Sequence, residues 1–99
     1  MNTMTKTSAI LVSKEEISEL TFPKGDVLDS ESEKSERESQ IKRAMKLGNN
    51  SKGKVQIFFE DTKGLKKVET TIWGVTEKYV LLKKTTIIPI RCVHEIKFH

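Results

Sequence analysis

Ninety-nine residues, of which 35% are hydrophobic and 32% charged, allow one small domain with a modest core. The net charge of +4 is uneven: residues 1–40 hold five Lys/Arg against nine Asp/Glu, a net of −4, and residues 41–99 hold thirteen against five, a net of +8. One cysteine, Cys92, excludes an internal disulfide and fits a reducing compartment, and no apolar run has the length of a membrane span, so a cytoplasmic protein without membrane contact is expected.

Residues 1–9 are polar and expected to be disordered. Ser13-Lys14-Glu15-Glu16 has the form of a capping box, with Val12 and Ile17 at the positions of a hydrophobic staple. A short helix over 14–20 is expected, stopped before Phe22-Pro23-Lys24-Gly25. Two turns are marginal in water, so if this helix is ordered Ile17, Leu20 and Phe22 must dock on something. Residues 1–30 are read as an acidic, largely flexible arm, and residues 31–99 as a helix plus a small β-barrel domain.

Residues 26–40 carry almost no large apolar side chains. Two staggered capping boxes, Ser30…Glu33 and Ser35…Glu38, precede Ile41, Ala44, Met45 and then Gly48-Asn49-Asn50. Glu33/Arg37 and Glu38/Lys42 stand at i,i+4 in the favourable order. Acidic residues crowd the start, while Lys42, Arg43 and Lys46 crowd the end, which complements the helix dipole. These signals predict a helix over 31–47 with Gly48 just past its end. Its narrow apolar stripe suits a helix lying across the open end of a barrel.

Five β-rich segments follow, over 54–60, 67–75, 79–83, 86–90 and 93–98. Val55, Ile57 and Phe59 alternate onto one face, with Phe58 on the other. Asp61-Thr62-Lys63-Gly64 is read as a hairpin turn, and Gly74 as a bend in the second strand. Thr76-Glu77-Lys78 and Lys83-Lys84-Thr85 are short enough for two more hairpins. Arg91-Cys92 leaves room only for a tight or 3₁₀ turn, and Pro89 puts its strand at a sheet edge. The expected class is α+β: mainly β with an N-terminal helix, the strands forming a bent, antiparallel five-stranded small barrel.

A helix followed by five short strands, a Gly-bent second strand and a tight turn before the last strand resembles the Sm-like branch of the SH3-type small barrels, over residues 31–98. The likeness is one of layout. At the turn where Sm proteins carry their RNA-binding Asp and Asn, this chain reads Thr76-Glu77-Lys78. The segment from Val68 to Lys83, with Ile88-Pro89-Ile90 and Val93–Phe98, also resembles a group of small uncharacterised bacterial proteins. Neither resemblance implies an activity, so function rests on charge and aromatics.

The surface expected to meet RNA or DNA comprises Lys63, Lys66, Lys67, Lys78, Lys83, Lys84 and Arg91, with Trp73 and Phe58 as stacking faces. The competing reading is a merely solvated basic surface, since lysines also guard strand edges. Cys92-Val93-His94 lacks further ligands for a metal, and His94 alternates with Ile96 and Phe98 as a structural histidine. No paired carboxylates or phosphate-binding glycine loop mark the domain, so a non-enzymatic binding module without metal or cofactor is expected. Apolar residues on both faces of Tyr79–Ile90 exceed what one small interior holds, so the helix, the N-terminal arm or another chain must cover the surplus, and a homo-oligomer is expected. The alternative partner is a protein, met through a strand edge or through Ile17, Leu20 and Phe22 in an adaptor role. The charge separation further suggests that the acidic arm competes for the basic face.

Overall fold

The computed structural model describes residues 9–82 and 86–98. Beginning at the N-terminal side, β1 (Ile10–Leu11) leads into a single helical turn, α1 (Lys14–Ile17). The staple forms, with Val12 and Ile17 both buried, but Ser13 caps through its backbone oxygen and not its side chain. The expected helix over 14–20 is therefore shorter, its last residues forming turns.

The main helix, α2 (Glu31–Ser51), starts where the sequence places it. Ser30 Oγ accepts the Glu33 N–H at 3.1 Å, and Glu31 and Glu33 put negative charge on the positive end of the helix dipole. Its other end lies one turn beyond the expected position. Gly48 is an interior residue, not a cap, and the left-handed position falls on Lys52, with φ 54°. A Cβ at Gly48 would overlap the Ile72 carbonyl oxygen, so the glycine is there to let helix and strand touch. The basic residues counted for the last turn consequently sit further back, and that turn holds none.

The remaining elements are β2 (Val55–Asp61), β3 (Gly64–Thr70), β4 (Gly74–Val75), β5 (Tyr79–Leu81), β6 (Ile87–Pro89), a 3₁₀ turn over Ile90–Cys92, and β7 (Val93–Phe98). They match the expected segments, with the second split in two. Strands β1-β3-β2-β7 form a four-stranded sheet and β4-β5-β6 a three-stranded one. Gly64, at φ 140°, makes the hairpin turn, and Asp61 Oδ1 accepts both the Lys63 and the Gly64 N–H. Pro89 lies on β6, an edge strand as its missing N–H requires.

Neither sheet closes into the barrel expected from the alternation. The second strand is interrupted over Thr71–Trp73, where the backbone meets Gly48, and β1 pairs in parallel with the free side of β3. What forms is a small α+β fold of two sheets, a long helix and an N-terminal strap around one core. Val55, Ile57 and Phe59 of β2, Ile72, Val80 and Leu82, Ile88 of β6, and Ile41 and Ala44 of α2 make up most of it.

The arm expected to be largely flexible lies against this core over residues 10–28. Ile17 is buried, and Leu20 and Phe22 pack on the same cluster, Phe22 with its ring 6.1 Å from that of Phe59. Thr62 N–H donates to Thr21 O, Val27 N–H to Arg91 O, and Arg91 Nε to Pro23 O. Arg37, 6% exposed, turns inward from α2 to grip both carboxylate oxygens of Asp26 at 3.0 and 2.8 Å, and donates to Val93 O. The i,i+4 pair foreseen for Arg37 with Glu33 is thus replaced by a longer-range bond, while Glu38 and Lys42 do pair, at 3.5 Å. Readings that concern residues 1–8 and the Lys83-Lys84-Thr85 turn lie outside the described residues.

Candidate nucleic-acid interface

Where α2 ends, three parts of the chain converge. Lys52 terminates the helix in the left-handed conformation, its N–H bonded back to Gly48 O and Leu47 O. Its own carbonyl accepts Thr71 Oγ1 at 3.3 Å, which ties the helix end to the end of β3. Lys54 stands immediately before β2, and continuing the Val55–Thr70 register by one residue sets it beside Thr71. Trp73 closes the strand break, its N–H donating to Leu81 O at 2.9 Å. Lys14 arrives from the strap, between the buried Val12 and Ile17.

These residues line a groove of about 530 Å³ together with Asn49, Gly48 and Thr70. Trp73 is 57% exposed there, an unusual position for the chain's one tryptophan. Three lysines and no carboxylate line the groove. Outside the lining, Glu15 Oε2 lies 3.7 Å from Lys14 Nζ in a partly solvated pair. An indole face beside a cluster of ammonium groups offers stacking to a base and charge to its phosphates.

Of the residues named from sequence, only Trp73 belongs to this groove. Lys63 sits in the β2–β3 turn, a strand length of roughly 20 Å from Lys54 at 3.3 Å per residue. Lys66 Nζ is 3.0 Å from Asp61 Oδ1, both side chains largely buried. Burial would raise the Asp61 carboxyl, but the bonds from Lys66 and from the Lys63 and Gly64 amides outweigh it and hold it below its usual value. Phe58 is 3% exposed beneath Lys67 and Lys97, whose amines lie 5.9 and 5.4 Å from its ring centre, so it presents no stacking face. Lys78 and Arg91 line a separate cleft with Asp26 and Glu77. Lys83 and Lys84 lie outside the described residues.

Comparison with protein-family models, with curated proteins and with solved structures found no match.

His94 Nε2 lies 2.8 Å from Glu60 Oε1, and Cys92 is fully buried with its thiol against Pro23 O at 3.7 Å. Burial pushes that thiol above its ordinary value, which makes it a poor nucleophile. Among the described residues no group of three or more His, Cys, Asp or Glu is placed to hold a metal ion, and no helix is long and apolar enough to cross a membrane. Sequence reasoning missed Lys14, Lys52 and Lys54 as a set because Lys14 and Trp73 each lie far from the Lys52/Lys54 pair along the chain. The one local signal was Lys52-Gly53-Lys54 between a helix and a strand.

Proposed function

We propose that this protein is a non-enzymatic module that binds single-stranded nucleic acid, RNA or DNA, in the groove at the C-terminal end of α2. Trp73 stacks on an unpaired base, while Lys14, Lys52 and Lys54 neutralise neighbouring phosphates. One observation carries this reading: the exposed tryptophan lines the groove with three lysines and no carboxylate. Single strands are favoured because a duplex hides the base faces that an indole stacks on. In the same reading, the two bent sheets are an opened relative of the Sm-like small barrel, with β2, β3–β4, β5, β6 and β7 standing for its five strands.

The test is titration with a ten-nucleotide oligothymidylate or oligouridylate at low salt, read by Trp73 fluorescence and by anisotropy of a labelled strand. Quenching is expected, and Trp73→Ala should weaken binding by roughly 5- to 150-fold, the equivalent of 1–3 kcal/mol per stacked base. Paired Lys52→Glu and Lys54→Glu should abolish it, whereas paired Lys63→Glu and Lys78→Glu should not. Absence of binding at low salt refutes the proposal.

A second reading, a protein adaptor or homo-oligomer, draws on Ile10 and Leu11, which remain 60% and 61% exposed on the edge strand β1, and on the exposed Ile87 of edge strand β6. Light scattering at micromolar concentration tests self-association, and its dependence on Ile10→Lys and Ile87→Lys identifies the edge used.

A further inference from the structure

Lys14 differs from the other two groove lysines in where it comes from. Lys52 and Lys54 follow α2 directly, but Lys14 belongs to the strap, and the strap holds to the core at a few separate points. A two-residue ladder joins β1 to β3, and Val12 N–H donates to Lys67 O. Val12 and Ile17 enter the core on either side of Lys14. Beyond these, Leu20 and Phe22 pack on the core cluster, and hydrogen bonds hold Thr21, Pro23, Asp26 and Val27. Only the two-residue β1 ladder ties the strap into a sheet, and a segment joined to the core chiefly by side-chain anchors opens locally at a smaller free energy than the core unfolds.

We infer that the strap is a ligand-responsive wall of the groove: a phosphate backbone seated beside Trp73 bridges Lys14 on the strap to Lys52 and Lys54 on the core, so that binding and strap docking form one linked equilibrium. This rests on the nucleic-acid reading of the groove. Lys14 is free to act in this way because its pair with Glu15 is long and solvated, and phosphate contact displaces no buried bond. Linkage makes the coupling reciprocal: whatever factor the ligand adds to strap closure, a closed strap adds to ligand affinity. The acidic arm then acts opposite to the competitor suggested by its charge. Its carboxylate Asp26 is engaged by Arg37, and it offers the groove a cation.

The experiment is amide hydrogen exchange on the full chain, with and without oligothymidylate at low salt, while Trp73 fluorescence reports occupancy in the same samples. Strap amides over residues 10–28 should exchange at least about fivefold more slowly on saturation, the lower end of ordinary site-to-site coupling. Lys14→Gln should melt as the wild type does, since its side chain is partly solvated, and should still quench Trp73 more weakly. It should lose the ligand-induced protection of the strap. Quenching without strap protection in the wild type overturns the coupling and leaves the nucleic-acid reading intact. No quenching overturns both. Undiminished protection in Lys14→Gln overturns the bridging role of Lys14.

Discussion

Three lysines line the groove, so on the proposed reading a bound strand would have three phosphates neutralised there. For single strands the slope of log K against log salt is about −0.7 per phosphate, which makes it about −2.1 for this groove. Between 50 and 200 mM salt, a fourfold change, affinity should fall about 18-fold. Lys54→Gln removes one contact, and the slope should drop to about −1.4, a loss of about sevenfold over the same range. Lys54 is exposed and precedes β2, so the change should move stability by no more than about 0.5 kcal/mol. The assay is anisotropy of a labelled oligothymidylate at four salt concentrations, with a melting curve for each protein. A slope near zero in the wild type would mean that phosphates are not held in the groove. An unchanged slope in Lys54→Gln would place the contacts elsewhere, and the counting argument would fail.

Gly48→Ala should destabilise the fold by about 1–3 kcal/mol, because the new methyl group meets the Ile72 backbone carbonyl and neither side is a flexible side chain. Thermal melting reads this as a fall of roughly 4–8 °C per kcal/mol, and an unchanged midpoint would refute the close approach. Asp26→Asn should cost about 1 kcal/mol once solvent screening of the part-exposed carboxylate is discounted, measured by urea unfolding at neutral pH. The hydrogen bonds from Arg37 hold the Asp26 carboxyl below the ordinary aspartate value of about 3.9, so its contribution is present above that value and disappears as pH falls through the folded-state value. Acid unfolding below about pH 4 should therefore be shallower in Asp26→Asn than in the wild type. Ser30→Ala removes the acceptor for the Glu33 amide and should cost about 1 kcal/mol, visible as helix fraying in exchange over the first turn of α2.

Much of the architecture is written locally in the chain. The alternation of Val55, Ile57 and Phe59, the cap at Ser30, the hairpin at Asp61–Gly64, the edge position of Pro89 and the 3₁₀ turn at Arg91-Cys92 each depend on a few neighbouring residues. Local sterics and hydrogen bonding settle these features before distant parts of the chain meet. The long-range features were illegible for the complementary reason. Gly48 looks like a helix stop until Ile72 lies against it, and Arg37 looks like a surface charge until Asp26 and Val93 surround its guanidinium. The groove is the clearest case. Lys14, the Lys52/Lys54 pair and Trp73 are ordinary residues in three local settings, and only the docking of the strap and the contact of α2 with the β3 end put them around one space. Sequence determined the elements because their energetics are short-range; the tertiary structure decided the site, because a cluster of like charges around an exposed indole exists only where separate elements pack.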